Sequence, residues 1–308
     1  MSTTEFIEPD TRAAPRTISS SGRGLLSAAR PRQWVKNGLV VAAPFAAGAL
    51  LKGSVIGGCL LALVAFICAS AAVYLANDVV DVERDRRHPR KRYRPIASGA
   101  VSPRAATVAA VALGAAAVTV PVLAGNVELG VVVGSYLVLS ASYSLFLKHV
   151  PGVELAIVAS GFVLRALAGA VGAHVPPSNW FLAVTAFAAL TITFGKRYAE
   201  RLNTGLDDAH TRPALASYPT RLLSGGRDVA LLAAAACYGG WVLTRGADDR
   251  AGFAAVSAAP LAWAVLRYRR INEGGGGEAP EELLLRDRSL QASLGLWALG
   301  MLAVIVLV

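Results

Sequence analysis

The sequence predicts an all-α, polytopic membrane protein with about nine transmembrane helices, each needing about 20 residues to cross the hydrocarbon core, and three observations carry that prediction. Hydrophobic residues make up 55% of the 308 and charged residues only 16%, with a mean hydropathy of +0.51, values far from those of an ordinary soluble domain. Apolar runs of membrane-spanning length begin near residues 35, 55, 105, 127, 153, 179, 227, 250 and 288. The cations lie between these runs and are heavily biased to alternate loops.

Taken in order, residues 1–29 are polar, rich in Ser, Thr and Arg and without an apolar centre, so they read as a disordered cytoplasmic tail rather than a signal peptide. Residues 30–308 then form one transmembrane domain. The first span is short and interrupted by Pro44, and the second ends in the acidic run Asn77 to Asp85. Little more than Lys148 to Gly152 separates the fourth span from the fifth, and merging them would give eight. The sixth ends at Lys196, Arg197, Glu200 and Arg201, which begin a polar loop. Before the last span, Asn272 to Pro280 contains four consecutive glycines and reads as a flexible linker. Cys59, Cys68 and Cys237 sit in apolar spans without metal-ligand spacing, so no disulfide is expected. His88, His149, His174 and His210 form no ligand motif and receive no metal or proton-transfer role.

Orientation follows from the cations. With the N-terminus inside, 26 of the 30 Lys and Arg fall on cytoplasmic segments, the external loops hold Lys52, Arg245 and Arg250, and Arg165 lies within a span. By the positive-inside rule this places the N-terminus and the acidic run in the cytoplasm, in a bacterial cell on the inner face of the cell membrane. The net charge of +10 is thereby concentrated on one face, suited to anionic lipid headgroups or phosphorylated substrates. Without a soluble binding module, nucleic acid is not an expected partner. A homo-oligomer is compatible with the sequence.

The acidic run carries the clearest chemistry. If the second span continues helically to its end, Asp78, Asp81 and Asp85 share one face, with Asn77 beside Asp81. Oxygen-only ligands of this kind suit magnesium, which is usually shared between one or two carboxylates and substrate phosphate oxygens. The blander alternative is a solvated helix end whose aspartates pair with Arg84, Arg86 and Arg87. Arg165 lies about 18 Å along a helix beginning at Val153, near mid-bilayer, where a charge is expensive and calls for an anionic partner. The spans hold few acids, so a ligand phosphate is the expected partner. Tyr143, Lys148 and Glu154 flank a tight turn on the same side as the aspartates and read as a second half-site.

These residues resemble the UbiA superfamily of intramembrane prenyltransferases, whose first signature, N-D-x-x-D-x-x-x-D, is matched by Asn77, Asp78, Asp81 and Asp85. The runs Arg30 to Asn37, Tyr143 to Lys148, Gly161 to Gly169 and Lys196 to Glu200 look like the branch of that superfamily that transfers a phosphoribosyl group to a lipid. The resemblance implies a ring of helices around a central cavity open to the cytoplasm and to lipid. It implies magnesium on Asn77, Asp78, Asp81 and Asp85, and catalysis by Asp78, Asp81, Lys148 and Arg165. Substrate contacts are implied for Gln33, Lys36, Asn37 and Arg84, for Tyr143, Lys148 and Glu154, and for Arg165, Lys196 and Arg197. The second acidic motif common in the superfamily is reduced here to Glu154, where an Asp is the norm.

The implied reaction has phosphoribosyl diphosphate as donor and a polyprenyl phosphate as acceptor, the lipid phosphate attacking the anomeric carbon as diphosphate leaves. An already anionic phosphate needs no general base. The runner-up is an aromatic prenyltransferase of the same superfamily, acting in quinone or haem synthesis. A transporter of anionic solutes would also place Arg165 at midplane, but it has no use for a surface aspartate triad.

Overall fold

The computed structural model describes residues 22–203, 213–244 and 249–306, and among them every regular element is helical. A short helix α1 (Gly22–Ala28) leads into a 3-10 segment, Pro31–Val41, and α2 (Ala42–Ala46). There follow α3 (Gly53–Val80), α4 (Val82–Arg87), α5 (Pro103–Leu123), α6 (Val127–Leu145), α7 (Val153–Gly172) and α8 (Asn179–Asn203). The chain ends in α9 (Pro213–Ala216), α10 (Thr220–Leu243), α11 (Asp249–Glu273), α12 (Pro280–Arg286) and α13 (Arg288–Val306).

The expected spans fall on the 3-10 segment with α2 and on α3, α5, α6, α7, α8, α10, α11 and α13. By length and composition, α3, α5, α6 and α7 are apolar enough to cross a membrane. In α8, α10 and α11 the two turns at one end carry charged residues, among them Arg197 and Arg201, Arg221 and Arg227, and Arg267 and Arg270, so these helices run past the apolar layer. Local chemistry sets the sharper boundaries. Ser102 accepts a hydrogen bond from Ala105 N at the start of α5 with Pro103 in its first turn, and Asn126 caps α6 through Leu129 N.

Each long helix packs against the next, from α3 through α5, α6, α7, α8, α10 and α11 to α13. Phe45 of α2 meets Trp297 of α13 edge-on, with ring centroids 6.2 Å apart, and sets the segment before α3 against the last helix of the series. An apolar cavity of about 230 Å³ lies there, lined by Phe45, Trp180, Tyr238, Trp241 and Trp297. The largest buried apolar cluster among the described residues joins α3, α6 and α7 through Phe66, Leu129, Val133, Tyr136 and Ala168, with Val40 of the 3-10 segment. Close backbone approach makes this packing possible. A Cβ at Gly169 would stand 1.5 Å from Val40 O, and one at Gly58 would stand 2.1 Å from Gly172 O.

Three expectations are corrected here. Residues 22–28, assigned to a disordered tail, form α1, and Ala28 and Leu25 pack against Leu75, Ile96 and Val101, an apolar surface the polar average of the segment conceals. Residues 1–21 of that tail lie outside the described residues. The glycine run is no slack linker, because Asn272 is fully buried and folds it back. Its Nδ2 donates to Gly195 O (2.7 Å) and Gly276 O (3.0 Å), while Oδ1 accepts from Arg227 (2.8 Å). Gly275 and Gly277 supply the positive φ this turn needs. Finally, the second span does not run unbroken through the acidic motif: α3 ends at Val80 and α4 begins at Val82, with Asp81 between at φ −90° and ψ 6°.

Gly169→Val should lower stability by about 3 kcal/mol or abolish folding, since the blocking atom is a main-chain carbonyl. Gly134→Val, where a Cβ meets nothing within 4 Å, should melt like the parent. Melting of the detergent-purified proteins checks both, and equal melting points would contradict the close approach.

Candidate active site

The break at Asp81 is one residue wide. Asp81 N still bonds Asn77 O (2.9 Å) and Asp85 N bonds Asp81 O (2.8 Å), so Asp78 and Asp85 stay near one another across it. Both carboxylates are buried, 3% and 2% exposed, and one nitrogen joins them: Arg94 Nη1 donates to Asp78 Oδ1 (3.1 Å) and Asp85 Oδ2 (2.6 Å). Arg30 Nη2 donates to the same Asp78 oxygen, and its guanidinium lies over the Tyr74 ring. Arg30 holds φ +54° immediately before Pro31, a backbone that L-residues rarely adopt and that proline further disfavours. Asp81 has different company, Arg84 at 2.8 Å and Lys148 at 3.5 Å, and is 25% exposed.

The loop after α4 positions Arg94. His88 Nδ1 accepts from Arg90 N and Lys91 N, and buried Ile96 and Val101 anchor the loop against Leu75 and Ala106. Sequence reasoning missed Arg94 because it is one of eight cations in residues 77–104. The available signal was Pro95-Ile96 beside it, an apolar step that marks where a basic loop dips into the protein.

Lys148 lies in the 3-10 turn Leu147–His149 between α6 and α7, and a second group is built around the start of α7. There Glu154 of α7 accepts Arg197 Nε on both oxygens (2.9 and 3.0 Å), and Arg197 also donates to Glu200 (2.5 Å) and Tyr143 Oη (3.2 Å). Tyr218, not anticipated, accepts Gly152 N at its hydroxyl, and burial raises its pKa. Glu154 is therefore committed to an ion pair, which accounts for an acid in this position without a second metal. Among the remaining expected residues, Lys36 Nζ donates to Gln33 Oε1 (2.7 Å), Lys196 is half-buried beside Arg197, and buried Asn37 accepts from Arg165 at its Oδ1.

Among the described residues no three His, Cys, Asp or Glu side chains form a ready metal cage. The donor set nevertheless fits a hard cation that completes its shell with water and phosphate oxygens. Asp78 and Asp85 oxygens both reach one positively charged nitrogen, and Asp81 remains partly open.

The sequence profile of the UbiA prenyltransferase family matches residues 39–285. A Decaprenyl-phosphate phosphoribosyltransferase of Corynebacterium glutamicum is 39% identical over 300 residues, covering 96% of this chain and 90% of the relative. One of Mycobacterium tuberculosis is 42% identical over 282 residues, covering 89% and 91%. Among solved structures, a UbiA homolog from Archaeoglobus fulgidus bound to GPP and Mg2+ superposes with a TM-score of 0.68 at 18% identity, over 92% of this chain and 99% of that one, a likeness of fold.

Arg165 departs from expectation in its partners. It is 6% exposed and among the described residues is held by neutral groups: Nε donates to Asn37 Oδ1 (2.9 Å), Nη1 to Gly161 O (2.7 Å) and Nη2 to Tyr136 Oη (2.9 Å). Its guanidinium also lies over Tyr136, 4.8 Å from the centroid, and over Phe66 and Phe162. Three filled donor directions and aromatic faces replace the anionic partner anticipated from sequence. Arg165→Met should therefore destabilise by roughly 3 kcal/mol, because it strands buried polar groups of Asn37 and Tyr136 on two other segments. Arg165→Lys should fall between. A Met variant that melts like the parent would refute this bracing role.

Proposed function

The chain belongs to the UbiA prenyltransferase family, and from that premise we propose that it transfers a 5-phosphoribosyl group from phosphoribosyl diphosphate to a polyprenyl phosphate, decaprenyl phosphate being the acceptor named for its relatives. The observation that supports this reading is the Lys148–Asp81 contact, which sets the cationic turn between α6 and α7 against the acidic motif.

The reaction needs positioning and charge compensation more than proton transfer. The lipid phosphate oxygen forms a bond to the anomeric carbon as the bond to diphosphate breaks, and the attacking group arrives already anionic. Asp78, Asp81 and Asp85, with Asn77 alongside, would hold magnesium, whose chemistry there is neutralisation of charge on a departing diphosphate. Lys148 and Arg84, at the open side of Asp81, are placed to meet donor phosphate oxygens, and Lys36 and Lys196 serve the same end. Arg197 acts with Glu154 and Tyr143 as a positioning group. Arg165 and Asn37 work at one remove, fixing the segment that carries Gln33 and Lys36. The apolar cavity beside Trp180, at the opposite end of α8 from Arg197, suits isoprenoid carbon. In this reading the N-terminus and the site face the cytoplasm across the cell membrane, and the product serves cell-wall arabinan synthesis.

Purified protein given magnesium, phosphoribosyl diphosphate and a polyprenyl phosphate should form a phosphoribosylated lipid. A product from prenyl diphosphate and an aromatic acceptor instead would favour the related prenyltransferase activity. Asp78→Asn and Asp81→Asn should each reduce turnover by at least about 100-fold, and EDTA should abolish it. Full turnover in EDTA would exclude the metal assignment. In a cysteine-free background on intact cells, a cysteine at Ser98 should resist an impermeant maleimide while one at Lys52 reacts. The reverse pattern would invert the topology.

A further inference from the structure

The two most buried carboxylates of the acidic motif already hold a cation. A single nitrogen of Arg94 bridges Asp78 and Asp85, and Asp78 receives Arg30 as well. Asp81, the exposed member, is met by Arg84 and Lys148. Three carboxylates thus face four cationic side chains, and the motif offers no surplus negative charge to a bare metal ion. Arg94 differs from the buried arginines of the bundle in being 30% exposed. It has room to withdraw on its solvent side while its loop stays anchored by Ile96 and Val101.

We propose that Arg94 is the resident counter-cation of the metal site, bridging Asp78 and Asp85 in the substrate-free protein and leaving them only when a divalent cation arrives together with a polyphosphate anion that receives the displaced guanidinium. The inference rests on the reading of the aspartates as a magnesium site for a diphosphate donor. Its physical basis is charge balance in a low-dielectric place. Adding a divalent cation alone to paired carboxylates leaves Arg94 unmatched at a site where positive charge is already in excess. Adding it with a diphosphate restores the balance and gives the planar guanidinium oxygens that match its fork. Metal and anion must then strengthen each other's binding by the same factor.

Binding of Mn2+, used as a paramagnetic probe, tests this on the full chain in detergent, with and without inorganic pyrophosphate at matched free Mn2+. In the parent, pyrophosphate should raise Mn2+ affinity about tenfold or more. Arg94→Gln should bind Mn2+ alone about tenfold more tightly than the parent and lose most of the pyrophosphate enhancement. The same variant should melt lower than the parent without metal and recover on adding Mn2+. Arg94→Lys, which keeps the charge on a shorter side chain without the planar fork, should lie between, and it carries the comparison if the Gln variant does not fold. Arg94 variants that bind Mn2+ no more tightly than the parent, or that keep the full pyrophosphate enhancement, would overturn the proposal. Failure of the reaction assigned above has a separate signature, absence of phosphoribosylated lipid from the parent protein whatever its Mn2+ binding.

Discussion

A guanidinium cannot be left bare inside a helical bundle, and the surroundings demanded by Arg165, Arg197 and Arg227 decide which helices meet. Arg165 gathers the 3-10 segment, α6 and α7 through Asn37, Tyr136 and Gly161. Arg197 ties α8 to α7 and α6 through Glu154 and Tyr143. Arg227 of α10 donates to Asn272 of α11 and lies over Tyr198 of α8. Removing one partner of such a buried set is far more damaging than never having built it. These three nodes give the bundle specific register where apolar packing alone would tolerate sliding.

The nodes also differ in kind, and the difference tracks depth. Arg165 is satisfied by neutral dipoles and aromatic faces, Arg197 by two carboxylates, and the cations at the end of α3 by aspartates of unequal exposure. Formal charge pairing therefore grows toward the end of the bundle that carries the acidic motif. There, water and soluble anions can exchange with side-chain partners.

Much of the fold was legible because hydrophobic runs record where helices lie in an apolar layer. The runs beginning near 127, 153 and 179 coincide with the starts of α6, α7 and α8. The start of α10 at Thr220 was placed near 227 instead, since Arg221 and Arg227 read as loop residues although the helix extends past the apolar layer to include them. The acidic motif was legible from its spacing, and Lys148 and Glu154 from their place beside a tight turn. Arg94, Arg30 and Tyr218 were hidden because their roles depend on contacts between distant segments. Asn272 was hidden for another reason: glycine composition signals freedom on average, while one buried amide can consume that freedom by bonding the loop's own carbonyls.

The tight glycine contacts divide the bundle into parts with unequal capacity for evolutionary drift. At Gly169 and Gly58 the atoms opposing a new Cβ are main-chain carbonyls of Val40 and Gly172, which no second substitution can shorten. At Gly195, Gly226 and Gly240 the obstacles are the side chains of Tyr268, Phe194 and Trp180, and a smaller residue there would make room. Lineages of this protein can exchange bulk between partners around α8, α10 and α11. The seam where α7 meets the 3-10 segment and α3 has no such exchange open to it and must keep its glycines for as long as it keeps its geometry.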